Sequence, residues 1–104
     1  MSKYTLNTLS ELTTKWAEQR GILSNGNIYT QTLKLTEEVG EIADALIKNK
    51  RFELLDSIGD CLVVLNSLAI LANSNIEECW NLAYKQIQNR TGSILKNGNF
   101  LKDE

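Results

Sequence analysis

The spacing of apolar residues predicts a first helix over residues 5–20. Its apolar positions recur every three or four residues, which places them on one helical face: Leu6, Leu9, Leu12 and Trp16. Thr8 and Glu11 stand at the spacing of a capping box, and Gly21 is placed to end the helix. We interpret Trp16 as a core or interface residue rather than as a platform on which a base stacks.

Two longer helices are predicted over residues 28–48 and 52–73, after a turn over residues 21–27. Asn27 is well placed to cap the first of these two helices. Its inward apolar stripe is Leu35, Val39, Ile42 and Leu46. Only the polar residues 49–51 separate the two helices, so they should form an antiparallel hairpin.

A fourth helix should begin at a cap on Ser74 or Asn75 and stop before Gly92. Its inward positions are Ile76, Trp80, Ala83 and Ile87. The Asn97-Gly98 pair between two short apolar stretches predicts a β-hairpin within residues 93–102.

These elements predict one all-α domain over residues 1–104, a four-helix bundle with a short C-terminal β-hairpin. An isolated two-stranded hairpin is marginally stable, so we expect this one to lie against the bundle or against a neighbouring subunit. The helices also carry more apolar surface than one short bundle can hide. We therefore expect a homodimer or a dimer of dimers.

Acidic side chains on the two long helices are the clearest candidates for chemistry. Glu38 and Glu41 are three residues apart, and Asp56 and Asp60 are four apart, so each pair shares a helical face. The alternative is a solvated surface, on which Lys34 and Glu38 form an ordinary ion pair.

Asp60 directly precedes residues 61–72, which are apolar except for Asn66 and Ser67 and are therefore expected to be buried. A buried carboxylate requires something cationic beside it. Oxygen ligands favour Mg2+ or Mn2+. Gly40 and Gly59 lie within the two acidic motifs, and we expect them to allow a close approach of the two helix backbones.

Composition excludes several function classes. The net charge of -2 and the pI near 5.2 give no electrostatic reason to expect nucleic acid or a membrane as a partner. The absence of histidine excludes Ser-His-Asp and Cys-His catalysis and His-ligated zinc. The apolar run is shorter than the ~20 residues that span a bilayer, and no signal segment is evident. We expect a cytoplasmic protein in which Cys61 and Cys79 are reduced and buried.

The chain resembles the MazG-like nucleotide pyrophosphohydrolases, the all-α NTP pyrophosphatase group that includes the dimeric dUTPases. It looks most like the short members found in phages and prophages. The segments that carry the resemblance are residues 15–22, 34–41, 56–65, 89–92 and 97–100. The resemblance implies Mg2+-dependent cleavage of a nucleoside triphosphate into a monophosphate and pyrophosphate, by a dimer or tetramer.

The family pattern is Glu-x-x-Glu on one helix and Glu-x-x-Asp on the next. Glu38 and Glu41 match the first pair, and Asp60 matches the last position. Ser57 stands where the family has a glutamate, and either its neighbour Asp56 or a water held by Ser57 would take the place of that ligand. The resemblance thus implies metal ligation by Glu38, Glu41 and Asp60, with Asp56 as the candidate fourth ligand.

Further roles follow from the same resemblance. Glu37 or Glu41 would accept the proton of the attacking water. Lys34, Lys85 and Arg90 would contact the phosphates. Ser57 also motivates an alternative, a nucleotide-binding or regulatory module with weakened catalysis. A third hypothesis is a structural helical oligomer without a metal site.

Overall fold

The computed structural model describes residues 3–103 of the chain, which form five helices and one two-stranded sheet. The elements are α1 (Leu6–Gln19), α2 (Ile22–Asn25), α3 (Ile28–Ile47), α4 (Arg51–Leu71), α5 (Ile76–Ile87), β1 (Gly92–Ile94) and β2 (Phe100–Lys102). The predicted all-α class with a C-terminal hairpin is confirmed. The predicted turn over residues 21–27 is corrected, because α2 forms one helical turn within it.

Local capping chemistry fixes where the helices begin. The Thr5 side chain accepts a hydrogen bond from the Thr8 N–H at 3.2 Å, so the predicted cap at Thr8 is wrong by one turn. The predicted cap at Asn27 is confirmed, and its Oδ1 accepts from the Thr30 N–H at 2.9 Å. Asn75 likewise accepts from the Glu78 N–H at 2.8 Å.

The α3–α4 hairpin is the centre of the fold and makes the most extensive contact between helices. Its connection turns through Asn49, which has a φ of +55°. The backbone N–H of Lys50 donates to the Ala45 carbonyl at 2.9 Å and closes the end of α3. The predicted antiparallel pair is therefore present, and residues early in α4 lie beside residues late in α3.

Apart from Glu38, the buried residues are small or of medium size: Ala17, Ala45, Cys61, Val64, Ala69, Ser57, Ser67 and Asn66. Asn66 is 4% exposed and joins α4 to α1. Ser10 donates to its Oδ1 at 2.7 Å, and its Nδ2 donates to Thr14 Oγ1 at 3.0 Å. A polar contact thus positions α1 on the most apolar helix.

Several residues predicted to point inward are exposed, because one chain provides no layer that covers their faces. On α3, Val39 is 53% exposed and Leu46 is 60% exposed; on α5, Trp80 is 60% exposed. The Cys79 thiol is also exposed, which corrects its predicted burial, whereas Cys61 is buried as predicted and both are free thiols.

Gly40 and Gly59 do not mark a close backbone approach, since a Cβ atom at either position would meet nothing within 4 Å. The terminal strands pair antiparallel, with Ser93 opposite Leu101, and every strand residue is exposed. Of the two expected positions of the hairpin, packing against the bundle of its own chain is not observed, and packing against a neighbouring subunit stays a prediction.

Among residues 3–103, α4 alone is long and apolar enough to cross a membrane by length and composition, which corrects the expectation that its apolar run is too short. Its most apolar stretch has a mean hydropathy of 1.8. The central helix of a helical bundle passes the same test, and α4 contacts α1, α2, α3 and α5.

Candidate functional site

Three of the predicted carboxylates converge between α3 and α4. Glu38 and Glu41 lie one turn apart on α3, and Asp60 faces them from α4. One carboxylate oxygen from each residue lies within 4.8 Å of the other two. The antiparallel hairpin produces this meeting, because it brings the middle of α3 beside the middle of α4.

Glu38 is the most deeply placed of the three and is 7% exposed. Its Oε1 lies 3.4 Å from Lys34 Nζ. Its Oε2 is buried and has no hydrogen-bond partner. An unsatisfied buried polar atom costs about 1–3 kcal/mol, and more when it is charged. A cation in contact with Oε2 would remove this cost, so the residues present fit a divalent ion.

The neighbouring acids also affect one another. The pKa of Glu41 is raised, chiefly by the negative charge of Glu38. The pKa of Asp60 is raised first by burial and then by the charges of Asp56 and Glu38. Both shifts mean that the ionised cluster is electrostatically unfavourable in the protein alone, and a bound cation would relieve it.

Lys34 forms ion pairs with two acidic residues of its own helix. Its Nζ lies 3.4 Å from Glu37 Oε2 and 3.4 Å from Glu38 Oε1. Its pKa is raised, first by the hydrogen bond to Glu37 and then by that to Glu38. Glu37 is thus an exposed partner of Lys34 and is not part of the three-carboxylate cluster.

A groove of about 420 Å³ adjoins the cluster and shares Glu38 and Asp60 with it. Its other walls are Trp16, Ile22, Thr30, Gln31, Lys34, Val63, Val64 and Ser67. Trp16 therefore lines a cleft instead of filling the core. The sequence reasoning missed this wall, although Gln31 and Ser67 lie seven residues, or two helical turns, from Glu38 and Asp60 respectively.

Glu41 lines a second groove, of about 280 Å³. It contains Asp56 and Ser57, together with Asp44, Ala45, Lys48, Lys50 and Glu53. The structure therefore places Asp56 beside Glu41 but outside the three-carboxylate cluster. Ser57, which stands where the sequence resemblance implies a glutamate, is buried.

The remaining two predicted residues are not in either groove. Lys85 lies in the last turn of α5, and Arg90 lies between α5 and β1. Both are exposed. Within residues 3–103, the only lysine or arginine that contacts the carboxylate cluster through an ion pair is Lys34.

Comparisons with known proteins show what the chain is similar to. Residues 27–93 match the profile of the MazG nucleotide pyrophosphohydrolase domain, and this range contains all three clustered carboxylates. A 61-residue segment, 59% of the chain, is 43% identical to an uncharacterized 18.2 kDa protein from the rep-hol intergenic region of Haemophilus phage HP1 (strain HP1c1). That segment covers 36% of the length of the phage protein.

The fold is similar to that of a solved structure, the cyanophage S-2L MazG-like pyrophosphohydrolase bound to dGDP and three catalytic Mn2+ ions per active site. The two chains superpose with a TM-score of 0.69 over 98% of this chain and 100% of that one, at 22% sequence identity. The helices that carry the carboxylates thus belong to an architecture shared with a characterised phage protein.

Proposed function

Since the chain belongs to the MazG nucleotide pyrophosphohydrolase family, we propose that it hydrolyses a nucleoside triphosphate between the α and β phosphates. The products would be a nucleoside monophosphate and pyrophosphate, and the cofactor would be Mg2+, with Mn2+ as a substitute. The dGDP and Mn2+ ions of the cyanophage relative support a nucleotide and a divalent metal as the ligands of this site.

The observation that carries the proposal is the buried Glu38 Oε2, which has no partner and lies in a cluster with Glu41 and Asp60. These three residues would hold the ion, with Asp56 as a further ligand at the edge of the second groove. A bound Mg2+ supplies positive charge that lets an anionic triphosphate approach the carboxylates and offsets charge developing in the reaction.

The other residues of the site would bind phosphate and move a proton. Lys34 lies on the groove wall and would contact the phosphates. We assign the carboxylate oxygen of Glu41 that does not contact the ion as the proton acceptor, because Glu41 lies within the cluster, whereas Glu37 is held in an ion pair with Lys34. Lys85 and Arg90 would contribute only if binding or a second copy brought α5 closer to the grooves.

The direct test is pyrophosphate release from a panel of ribo- and deoxyribonucleoside triphosphates with Mg2+. Glu41→Gln and Asp60→Asn should lower kcat/KM by about a hundredfold or more, since each removes a charged group from the reacting centre. Glu11→Gln, an exposed change on α1, is the matched control and should retain activity. Pyrophosphate release that is absent throughout the panel would contradict the proposal.

Ser57 supports a second candidate, a nucleotide-binding module with weakened catalysis. A buried hydroxyl replaces the carboxylate of the family motif at this position, so the site has one negative charge fewer. This candidate predicts metal-dependent nucleotide binding in calorimetry without turnover. A purely structural oligomer would show no stabilisation by Mg2+ and nucleotide in a thermal shift assay.

We further propose that the protein assembles with itself. Large apolar side chains are exposed on several helices, among them Leu6, Ile47, Phe52, Trp80 and Leu82. Exposed apolar surface of this extent is typical of an interaction face. Light scattering should give the mass of a dimer or tetramer, and the mass of one 11.7 kDa chain would contradict self-association.

A further inference from the structure

The groove beside the carboxylates has two chemically different ends. On α3, Gln31, Lys34 and Glu38 follow at spacings of three and four residues, which places them on one face. On α4, Asp60 and Ser67 are two helical turns apart. Because the helices are antiparallel, Gln31 and Ser67 share one end of the groove, whereas Glu38 and Asp60 share the other.

Seven residues of α-helix span about 10 Å, so this distance separates the carboxylates from the far end. Their positions on α3 and α4 place Thr30, Gln31 and Ser67 at the far end, and none of them is charged. Lys34 lies one turn from Gln31, but its Nζ is directed to Glu37 and Glu38. Trp16 and Ile22 also line the groove. A phosphate would find no cation there, and the metal ligands lie at the opposite end. An aromatic ring, an aliphatic side chain and neutral polar groups instead suit a flat heterocycle.

The polar groups at this end are not equally available. The Thr30 hydroxyl accepts from the Asn27 N–H at 3.3 Å and donates to the Asn27 carbonyl at 3.1 Å, so it belongs to the cap of α3. Ser67 is 2% exposed. Gln31 is half-buried on the groove wall, and its carboxamide offers both a donor and an acceptor.

We propose that the far end of the groove binds the nucleobase of the substrate and that Gln31 determines base preference by hydrogen-bonding to the edge of the base. The inference rests on the proposed function and deepens it by assigning a specificity-determining residue. Trp16 contributes an apolar contact that every base can make, and this contact does not discriminate between bases. Gln31 discriminates between bases, because a base whose edge does not match leaves the Gln31 carboxamide or a polar group of the base without a hydrogen-bond partner.

The test compares Gln31→Leu with the wild type on the four common deoxynucleoside triphosphates. In the wild type, kcat/KM should differ between the best and the worst base. In Gln31→Leu this ratio should fall by about tenfold, which corresponds to one lost hydrogen bond. The control is Gln88→Leu, an exposed glutamine that lines neither groove and whose replacement should leave the ratio unchanged.

Two outcomes would overturn the inference. One is a Gln31→Leu protein in which kcat/KM is unchanged for every base. The other is an equal loss for all four bases, which would indicate a general structural effect. In either case pyrophosphate release by the wild type would still stand, so the proposed function would survive the failure of this assignment.

A binding measurement tests the inference without turnover. In a Trp80→Phe background, Trp16 is the remaining tryptophan. Deoxynucleoside monophosphates added with Mn2+ should quench its fluorescence, with dissociation constants that depend on the base. Gln31→Leu should remove most of that dependence. If quenching depends on the base but no triphosphate releases pyrophosphate, the base site stands and the enzymatic proposal is rejected. If no monophosphate quenches the fluorescence, the base site is overturned.

Discussion

Glu38 combines burial with incomplete pairing, and this combination favours a cation. Lys34 contacts Oε1, but Lys34 also pairs with Glu37 and is itself about half exposed. It therefore satisfies only one oxygen of a carboxylate that is almost fully buried. An ion shared with Glu41 and Asp60 would satisfy the other oxygen and reduce the repulsion among all three.

The raised pKa values predict how stability depends on pH in the metal-free protein. The ordinary values are 4.5 for Glu41 and 3.8 for Asp60, and the folded state raises both. The folded protein therefore binds protons more tightly than the unfolded chain, so the free energy of unfolding increases as pH falls from neutral through the raised values. Thermal unfolding in a chelator should show a Tm that rises over this range.

The paired substitutions Glu41→Gln and Asp60→Asn remove the titrating groups and should flatten this rise. Addition of Mg2+ should raise the Tm at neutral pH and so reduce the difference in Tm between neutral and acidic pH, because the ion stabilises the ionised carboxylates. A Tm in chelator that falls steadily from neutral pH toward the ordinary pKa values would contradict the described electrostatics.

At the scale of single residues, the carboxylate cluster could be predicted from the sequence, but the groove beside it could not. The spacing of Glu38 and Glu41 and the short connection to α4 are local features, and together they determine which residues meet Asp60. Trp16 and Gln31 share a groove only because α1 and α2 pack against α4 beside α3. No local pattern reports that placement, so Trp16 was interpreted as a packing residue.

At the level of elements, α1 is attached to α4 by a buried amide. Asn66 accepts from Ser10 and donates to Thr14, and both distances are 3.0 Å or shorter. The contact places α1, and with it Trp16, on the wall of the groove. An asparagine in an otherwise apolar run was visible in the sequence, whereas its partners 56 and 52 residues away were not.

Replacement of Asn66 by leucine should destabilise the protein by about 1–3 kcal/mol, because it leaves the Ser10 and Thr14 hydroxyls without their partner. Denaturant unfolding would measure the loss. Asn7→Leu, on the exposed surface of α1, is the control and should change stability by about 0.5 kcal/mol or less. An Asn66→Leu protein as stable as the control would show that the amide does not hold α1.

Helix boundaries were predicted well because caps act locally. Asn27 and Asn75 cap α3 and α5 as expected, and Gly21 has the left-handed φ of +75° that ends α1. The burial of whole helical faces was predicted less well. An amphipathic pattern indicates that a face will be covered, but it does not tell whether the same chain covers it.

On the scale of the whole molecule, the single chain buries a small core. Its buried apolar residues are alanine, valine and cysteine, while most of its large apolar side chains are exposed. A small domain with so little buried apolar volume gains stability from association. Self-assembly would therefore contribute to folding, and the site on α3 and α4 would depend on it indirectly.

The Tm should rise with protein concentration, because association stabilises the folded state by mass action. Scanning calorimetry over a hundredfold range of concentration would detect the change. The replacement Trp80→Lys places a charge on an exposed apolar face of α5. It should weaken the dependence of Tm on protein concentration if that face lies in the contact between two copies of the chain. A Tm independent of concentration, with a monomeric mass, would show that the single chain is stable alone.

Titration of Mn2+ into the metal-free protein, followed by calorimetry, tests most directly whether Glu38, Glu41 and Asp60 act together. We predict saturable binding that is lost in Glu38→Gln and in Asp60→Asn and is retained in Glu11→Gln. Each of the first two removes a charged ligand, whereas the third changes only the surface. Equal Mn2+ affinity in all four proteins would contradict a metal centre between α3 and α4.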